Sequence, residues 1–212
     1  MKITLFGATG LIGGSAMREA LSRGHEVTVA LRDRGKASLL PDGVQVAEAD
    51  AASVDDVARV AAGQDLVISA TRPPEGHERL LVVMAQALLR GTCRAGSRLL
   101  LVGGAGSLRV PSSGLLVIED EAYLPRQYRP IAQACSDQLA VCQADRNTPW
   151  AYASPPALIA PGDRTGSYRL GEDDLVVDEA GVSRISAEDF AVALLDEAEQ
   201  PHHLRRRFTA AY

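Results

Sequence analysis

The stretch KITLFGATGLIGG, residues 2–14, decides the fold. It begins as a short β-type run, and glycines then crowd in at positions 7, 10, 13 and 14. Beyond them Ala16, Met17, Ala20 and Leu21 recur at helical spacing, and Gly24 marks a helix stop. EVTVALR (26–32) follows as a β-branched strand, so strand, glycine turn, helix and strand fit within about 30 residues, the size of one βαβ unit. A glycine turn in that place lets the backbone come close to a pyrophosphate. The helix start then offers free N–H groups and a partial positive charge. Gly7, Ala8, Thr9, Gly10, Leu11, Ile12 and Gly13 are therefore the predicted phosphate cradle, with a ligand-free tight turn as the alternative.

The alternation continues outward. VQVAEAD (44–50) reads as a strand, and Ser53 caps a helix through Gly63. DLVISA (65–70) is an apolar strand, a helix spans about 75–90, and RLLLVGG (98–104) is the next strand. A helix over 128–145 and the strand WAYAS (150–154) complete the series. Strands separated by helices predict an α/β, Rossmann-like, doubly wound parallel sheet in the order 3-2-1-4-5-6. After Pro155 the rhythm breaks. GSYRL (166–170) and DLVVD (174–178) predict a small hairpin, Ser186 with Asp189 a capping box, and RRFTAAY (206–212) a last edge strand. The whole chain, 1–212, is read as one domain whose part from about 155 onward forms a short lobe on the substrate side.

Composition narrows the partners. The chain has 212 residues and a net charge of −5, which argues against a general affinity for nucleic acid or for an anionic membrane. No stretch reads as a signal peptide or a membrane span, and the expectation is a cytoplasmic protein, monomeric or homodimeric. Cys93, Cys135 and Cys142 show no metal or CxxC spacing and read as reduced core or helix-face residues. No metal site is expected. The run Arg205-Arg206-Arg207 reads as a solvated edge.

At the end of the second strand stands Arg32, followed by Asp33 and Lys36. An arginine there can stack on adenine and pair with a 2′-phosphate, helped by a neighbouring cation. This favours NADP(H), and Asp33 leaves NAD(H) open.

The GATGLIG turn close to the N-terminus resembles the atypical short-chain dehydrogenase/reductase superfamily. Within it the chain is similar to the small NmrA-like NAD(P)-binding proteins and to the NADH-flavin reductases related to biliverdin reductase B. Residues 154–197, SPPALIAPGDRTGSYRLGEDDLVVDEAGVSRISAEDFAVALLDE, carry the more specific likeness, to the segment that follows the sixth strand in those small reductases. The resemblance implies further cofactor contacts. Asp50, with Ala51 beside it, would meet the adenine edge, unless Asp50 is a plain turn residue. Ala70, Thr71 and Arg72 would line the diphosphate-ribose, with a surface salt bridge the alternative for Arg72. Gly103 and Gly104 would end the fifth strand at the cofactor. The loop Pro155-Pro156-Ala157 would meet the nicotinamide amide, and Ser107 would be the substrate-facing serine.

Lysine usage excludes one chemistry. Lys2 and Lys36 are the only lysines, so no tyrosine can belong to a Tyr-x-x-x-Lys pair. Tyr123 has Gln127 four residues on, and Tyr128 has Ala132. Alcohol, ketone and sugar-nucleotide chemistry by that route loses support. Of the histidines only His77, just past the fourth strand, is near the ligand edge, and a surface position is its competing role. What fits is hydride transfer from NADPH to a flat acceptor, a flavin or a quinone, with FMN or FAD as substrate and not as a bound prosthetic group. The alternative from another class is an NmrA-like redox sensor that holds NADP(H) without turnover.

Overall fold

In a computed structural model covering residues 1–212, eight strands form one twisted sheet with helices on both faces. The first unit is β1 (Lys2–Phe6), α1 (Leu11–Ser22) and β2 (Glu26–Leu31), followed by a 3₁₀ turn at 34–39 and β3 (Gln45–Glu48). The second half continues with α2 (Val54–Ala61), β4 (Leu66–Ser69), α3 (Leu80–Ala95), β5 (Arg98–Val102), α4 (Arg129–Ala144) and β6 (Trp150–Ser154). These six strands are parallel and lie in the order β3-β2-β1-β4-β5-β6, as the alternation of strand and helix predicts. The order reverses between β1 and β4, which leaves a crevice at their carboxyl ends.

Alternating side chains on each strand feed two cores. Ile3, Leu5, Val29, Ile68 and Leu100 face α1 and a C-terminal helix, α5 (Ala187–Glu199). Phe6, Val67, Leu99, Leu101 and Tyr152 face α2, α3 and α4. Strands apolar on both faces belong inside a doubly wound sheet. No helix is long and apolar enough to cross a membrane.

Three features of the C-terminal part depart from expectation. First, β8 (Arg169–Gly171) forms, but residues 174–178 make no strand beside it. The Leu175 amide bonds to the Arg109 carbonyl at 2.8 Å, and its side chain joins Leu108, Val110 and Val117 in a small separate core. Burial of Leu175 under the 105–117 loop wins over a local hairpin. Second, β10 (Arg206–Ala211) is not an edge strand. It lies parallel to β6 on one side and antiparallel to β8 on the other. Arg207 is correspondingly no solvated residue: its side chain is 8% exposed and bonds Ser107 and Asp173. Third, β7 (Leu158–Ala160) and β9 (Arg184–Ser186) form a parallel pair that three-residue strands give too little pattern to predict.

Local end signals explain smaller shifts. α3 starts at Leu80 and not near 75, because Pro73, Pro74 and the left-handed Gly76 (φ 84°) hold the preceding loop out of the helix. It ends at Gly96, φ 74°. Ser53 and Ser186 both cap, accepting from the amides of Asp56 and Asp189 at 3.3 and 2.9 Å. The reciprocal half of the Ser186 box is missing, since the Asp189 carboxylate accepts from Thr165, Gly166 and Tyr212 instead. All three cysteines are free; Cys135 and Cys142 are buried and Cys93 is exposed.

Candidate functional site

The glycine turn is built by steric exclusion. Gly7 sits at φ 84°, and a Cβ there would lie 2.4 Å from the Ala70 carbonyl oxygen at the end of β4. A Cβ on Gly13 would lie 2.1 Å from the Gly7 oxygen, so the first turn of α1 packs directly on the loop. Gly10 is different. It is the extended N-cap residue of α1, provides no side-chain cap, and a Cβ would meet only the Gly7 oxygen, at 3.4 Å. The amides of Leu11, Ile12 and Gly13 have no acceptor in the chain; the first intrahelical bond runs from Gly14 N–H to the Gly10 carbonyl at 2.8 Å. Three free donors at a helix start, beside a backbone surface cleared of side chains, fit a pyrophosphate. Ala8 is buried behind the turn, Thr9 stands at its exposed rim, and Leu11 is 42% exposed beside it.

Two cavities open from this turn along the carboxyl edge of the sheet. The first, of about 520 Å³, runs from Gly7, Thr9 and Gly10 over β2 and β3 to Arg32, Lys36, Asp50 and Ala51. Phe6, Ala30, Ala49 and Met84 supply its apolar floor. The Asp33 carboxylate also reaches this cavity, but one of its oxygens accepts from the Gly35 amide at 2.8 Å and caps the 3₁₀ turn. Asp50 opens a turn of its own, its Oδ1 accepting from Ala52 N–H at 2.9 Å.

The second cavity, of about 410 Å³, lies over β5 and β6. Ile12, Gly103, Gly104, Pro155, Pro156 and Ala157 line it, together with the start of α4 and β7. The two cavities share Ala70, Thr71 and Arg72, so they form one elongated site bent around the end of β4. The glycines after β5 have a packing reason. A Cβ on Gly103 would fall 1.9 Å from the Tyr152 hydroxyl, and one on Gly106 would fall 2.9 Å from Ala132 Cβ.

Two expected residues stand elsewhere. Ser107 does not line either cavity; its hydroxyl accepts from the Arg207 guanidinium at 2.8 Å. His77 sits exposed in the turn before α3, also outside both. Conversely, Tyr128, Ile131, Ala132 and Cys135 form a wall of the second cavity. Their spacing over the first two turns of α4 marks a helical stripe, but spacing alone does not tell a cavity wall from a face turned to the core. Burial pushes the Cys135 thiol up to about 11, so it keeps its proton at neutral pH. Tyr152 is fully buried, its hydroxyl donating to the Cys135 carbonyl at 2.8 Å and lying 3.0 Å from Gln138 Oε1, and burial raises its pKa further. It supports the wall from behind. The position a lysine would need opposite Tyr128 is Ala132, in the cavity wall itself.

A family model described as NAD(P)H-binding matches residues 7–198. The chain belongs to that NAD(P)H-binding family. Among solved structures it is similar to a candidate exported protein of Burkholderia pseudomallei, at 42% identity over the full length of both chains with a TM-score of 0.90. It is also similar to a candidate epimerase of Bacteroides thetaiotaomicron, at 39% identity, TM-score 0.89, covering all of this chain and 96% of that one. A candidate NADH-flavin reductase of Streptococcus pneumoniae TIGR4 matches at 29% identity, TM-score 0.87, over 100% of this chain and 99% of the other. The family match spans both cavities, and the names of the relatives differ in the activity they suggest.

Proposed function

We propose that the protein is an NADPH-dependent reductase that passes hydride to a flat, conjugated acceptor such as a flavin or a quinone. The observation that carries this reading is the continuity of the two cavities through Ala70–Arg72, one suited to a dinucleotide and the other apolar and lacking an acid–base pair.

A bound reduced nicotinamide would supply the hydride that a flavin takes up at N5, and water would supply the proton that balances it. The chain's own part is binding and orientation. The free amides of Leu11, Ile12 and Gly13 hold the pyrophosphate, and Asp50 and Ala51 bound the adenine pocket. Arg32 and Lys36 meet a 2′-phosphate. NADPH is favoured over NADH because one oxygen of Asp33, the acid placed to accept from a ribose hydroxyl, already caps the 3₁₀ turn. Pro155, Pro156 and Ala157 bound the nicotinamide end, and the Tyr128–Cys135 wall presses the acceptor flat and keeps water out. The name of the Streptococcus relative agrees with a flavin as acceptor.

A steady-state panel tests the assignment. NADPH consumption with FMN and with a simple quinone, and none with secondary alcohols, ketones or nucleotide sugars, is the expected pattern. Turnover confined to a ketone or a nucleotide sugar would refute it.

A further inference from the structure

Charge is divided unevenly between the two cavities. Arg32, Asp33, Lys36 and Asp50 line the first, and Arg72 stands at the border where the two meet. Beyond that border the second cavity carries no charge at all. A ligand confined to it finds no ion pair, and a phosphate or carboxylate placed there would give up its water for nothing in return.

Two large side chains of this lining stand out of every core. Leu158 on β7 is 60% exposed and Tyr128 at the start of α4 is 45% exposed. The neighbours of Leu158 in the chain are used in packing, Ala157 against the Leu108 core and Ile159 against the core beneath α1 and α5. Leu158 and Tyr128 pack against no core, and the Tyr128 hydroxyl has no hydrogen-bond partner in the chain. They come from elements about 30 residues apart and meet at one cavity, which they share with the half-buried Leu124 and Ile131. Single exposed leucines need no explanation, but apolar side chains gathered at one cavity, without a packing role, mark a surface that a ligand covers.

We infer that the preferred acceptor carries an uncharged, apolar tail, as a quinone with an alkyl or prenyl side chain does, and that the tail leaves the chamber over Leu158 and Tyr128. This rests on the assignment of the second cavity to the acceptor. Full burial of a methylene raises affinity about fourfold, and a surface that stays half in water keeps about twofold for each of the first few.

The test is a series of naphthoquinones that bear methyl, propyl, pentyl or heptyl at one ring carbon, so that the ring takes up hydride alike and only the tail varies. kcat/KM is measured with NADPH, and Kd by calorimetry on the protein saturated with NADP+, which binds without turnover. The expected result is a rise of about twofold per methylene in both, as far as pentyl, and a clearly shallower rise in Leu158→Ser, a change at an exposed position that the fold tolerates. Leu204→Ser, also exposed but at the amino ends of β5 and β6, keeps the full rise. A wild-type series with no rise overturns the inference and leaves the acceptor site standing. So does a rise that Leu158→Ser leaves intact, or sedimentation showing two copies joined in solution that separate in Leu158→Ser, since a second copy would then cover the surface. Failure of every quinone to bind while NADP+ binds overturns the acceptor assignment as well.

Discussion

Glu19 on α1 accepts two hydrogen bonds from Arg164, 2.7 Å from its Nε and 2.8 Å from its Nη2, across 145 residues of chain. The Glu19 side chain is 5% exposed and also takes the Nε–H of Arg23 at 2.8 Å. Arg164 belongs to the segment that follows β7. Gly162 and Thr165 in the same segment are tied to Glu188 and Asp189 at the start of α5. α1, the segment after β7 and the start of α5 are thereby fixed to one another.

This pairing predicts acid sensitivity. Arg164, more than Arg23, holds the Glu19 carboxyl down to about 2 from its ordinary 4.5, against the upward push of burial. A depressed carboxyl pKa contributes stability that is present above the unfolded value and lost as pH falls through the folded one. Thermal melts from pH 5 to pH 2 should therefore show a falling Tm across that window, with a shallower fall in Glu19→Gln. At pH 7, Glu19→Ala leaves two guanidinium groups without their shared partner and costs about 2 kcal/mol, roughly 4–8 °C in Tm.

The glycines of the cradle should separate by role. Gly13→Ala places a methyl 2.1 Å from the Gly7 oxygen and should lose both stability and NADPH binding. Gly10→Ala has ordinary contact distance and extended backbone, so its Tm should stay close to wild type while NADPH affinity falls. Calorimetric melts and fluorescence titrations of the two variants check this; equal effects of both on both readouts would contradict it.

Much of this site was legible in residues 2–14 alone. A strand, a glycine turn and a helix in that order leave few alternatives, and the strand order followed from the alternation of elements. What the sequence concealed was set by distant packing. Leu175 is drawn into a core with Leu108 and Val117, and Arg207 is drawn to Ser107, 100 residues away in the chain. Ser107 looked free for substrate because nothing near it in sequence announces Arg207. The second cavity was only half visible, since its α4 wall is an apolar stripe indistinguishable by spacing from one that faces a core.

Cofactor preference gives a third prediction. With Arg32 as the proposed partner of a 2′-phosphate, Arg32→Asp puts a repelling charge there and should weaken NADPH about tenfold or more relative to NADH. Titration with both reduced cofactors measures this. An equal loss for the two would remove Arg32 from the 2′-phosphate.

Two tyrosines should behave oppositely. Tyr128→Phe keeps the cavity wall and removes a hydroxyl with no catalytic partner, so kcat with FMN should stay within about twofold of wild type. Tyr152→Phe removes the buried hydroxyl that donates to the Cys135 carbonyl and lies beside Gln138 Oε1, and should cost about 1–3 kcal/mol of stability. A large fall in kcat for Tyr128→Phe would make that hydroxyl a proton donor and contradict the assignment.

The most direct test of the central claim is anaerobic single-turnover mixing of the protein with NADPH and FMN, following both absorbances against a protein-free control. The account predicts that NADPH oxidation and flavin bleaching proceed together and are accelerated by the protein. Tight NADPH binding with no acceleration for FMN, or for a quinone tried in its place, would contradict a reductase and leave a protein that senses its cofactor without consuming it.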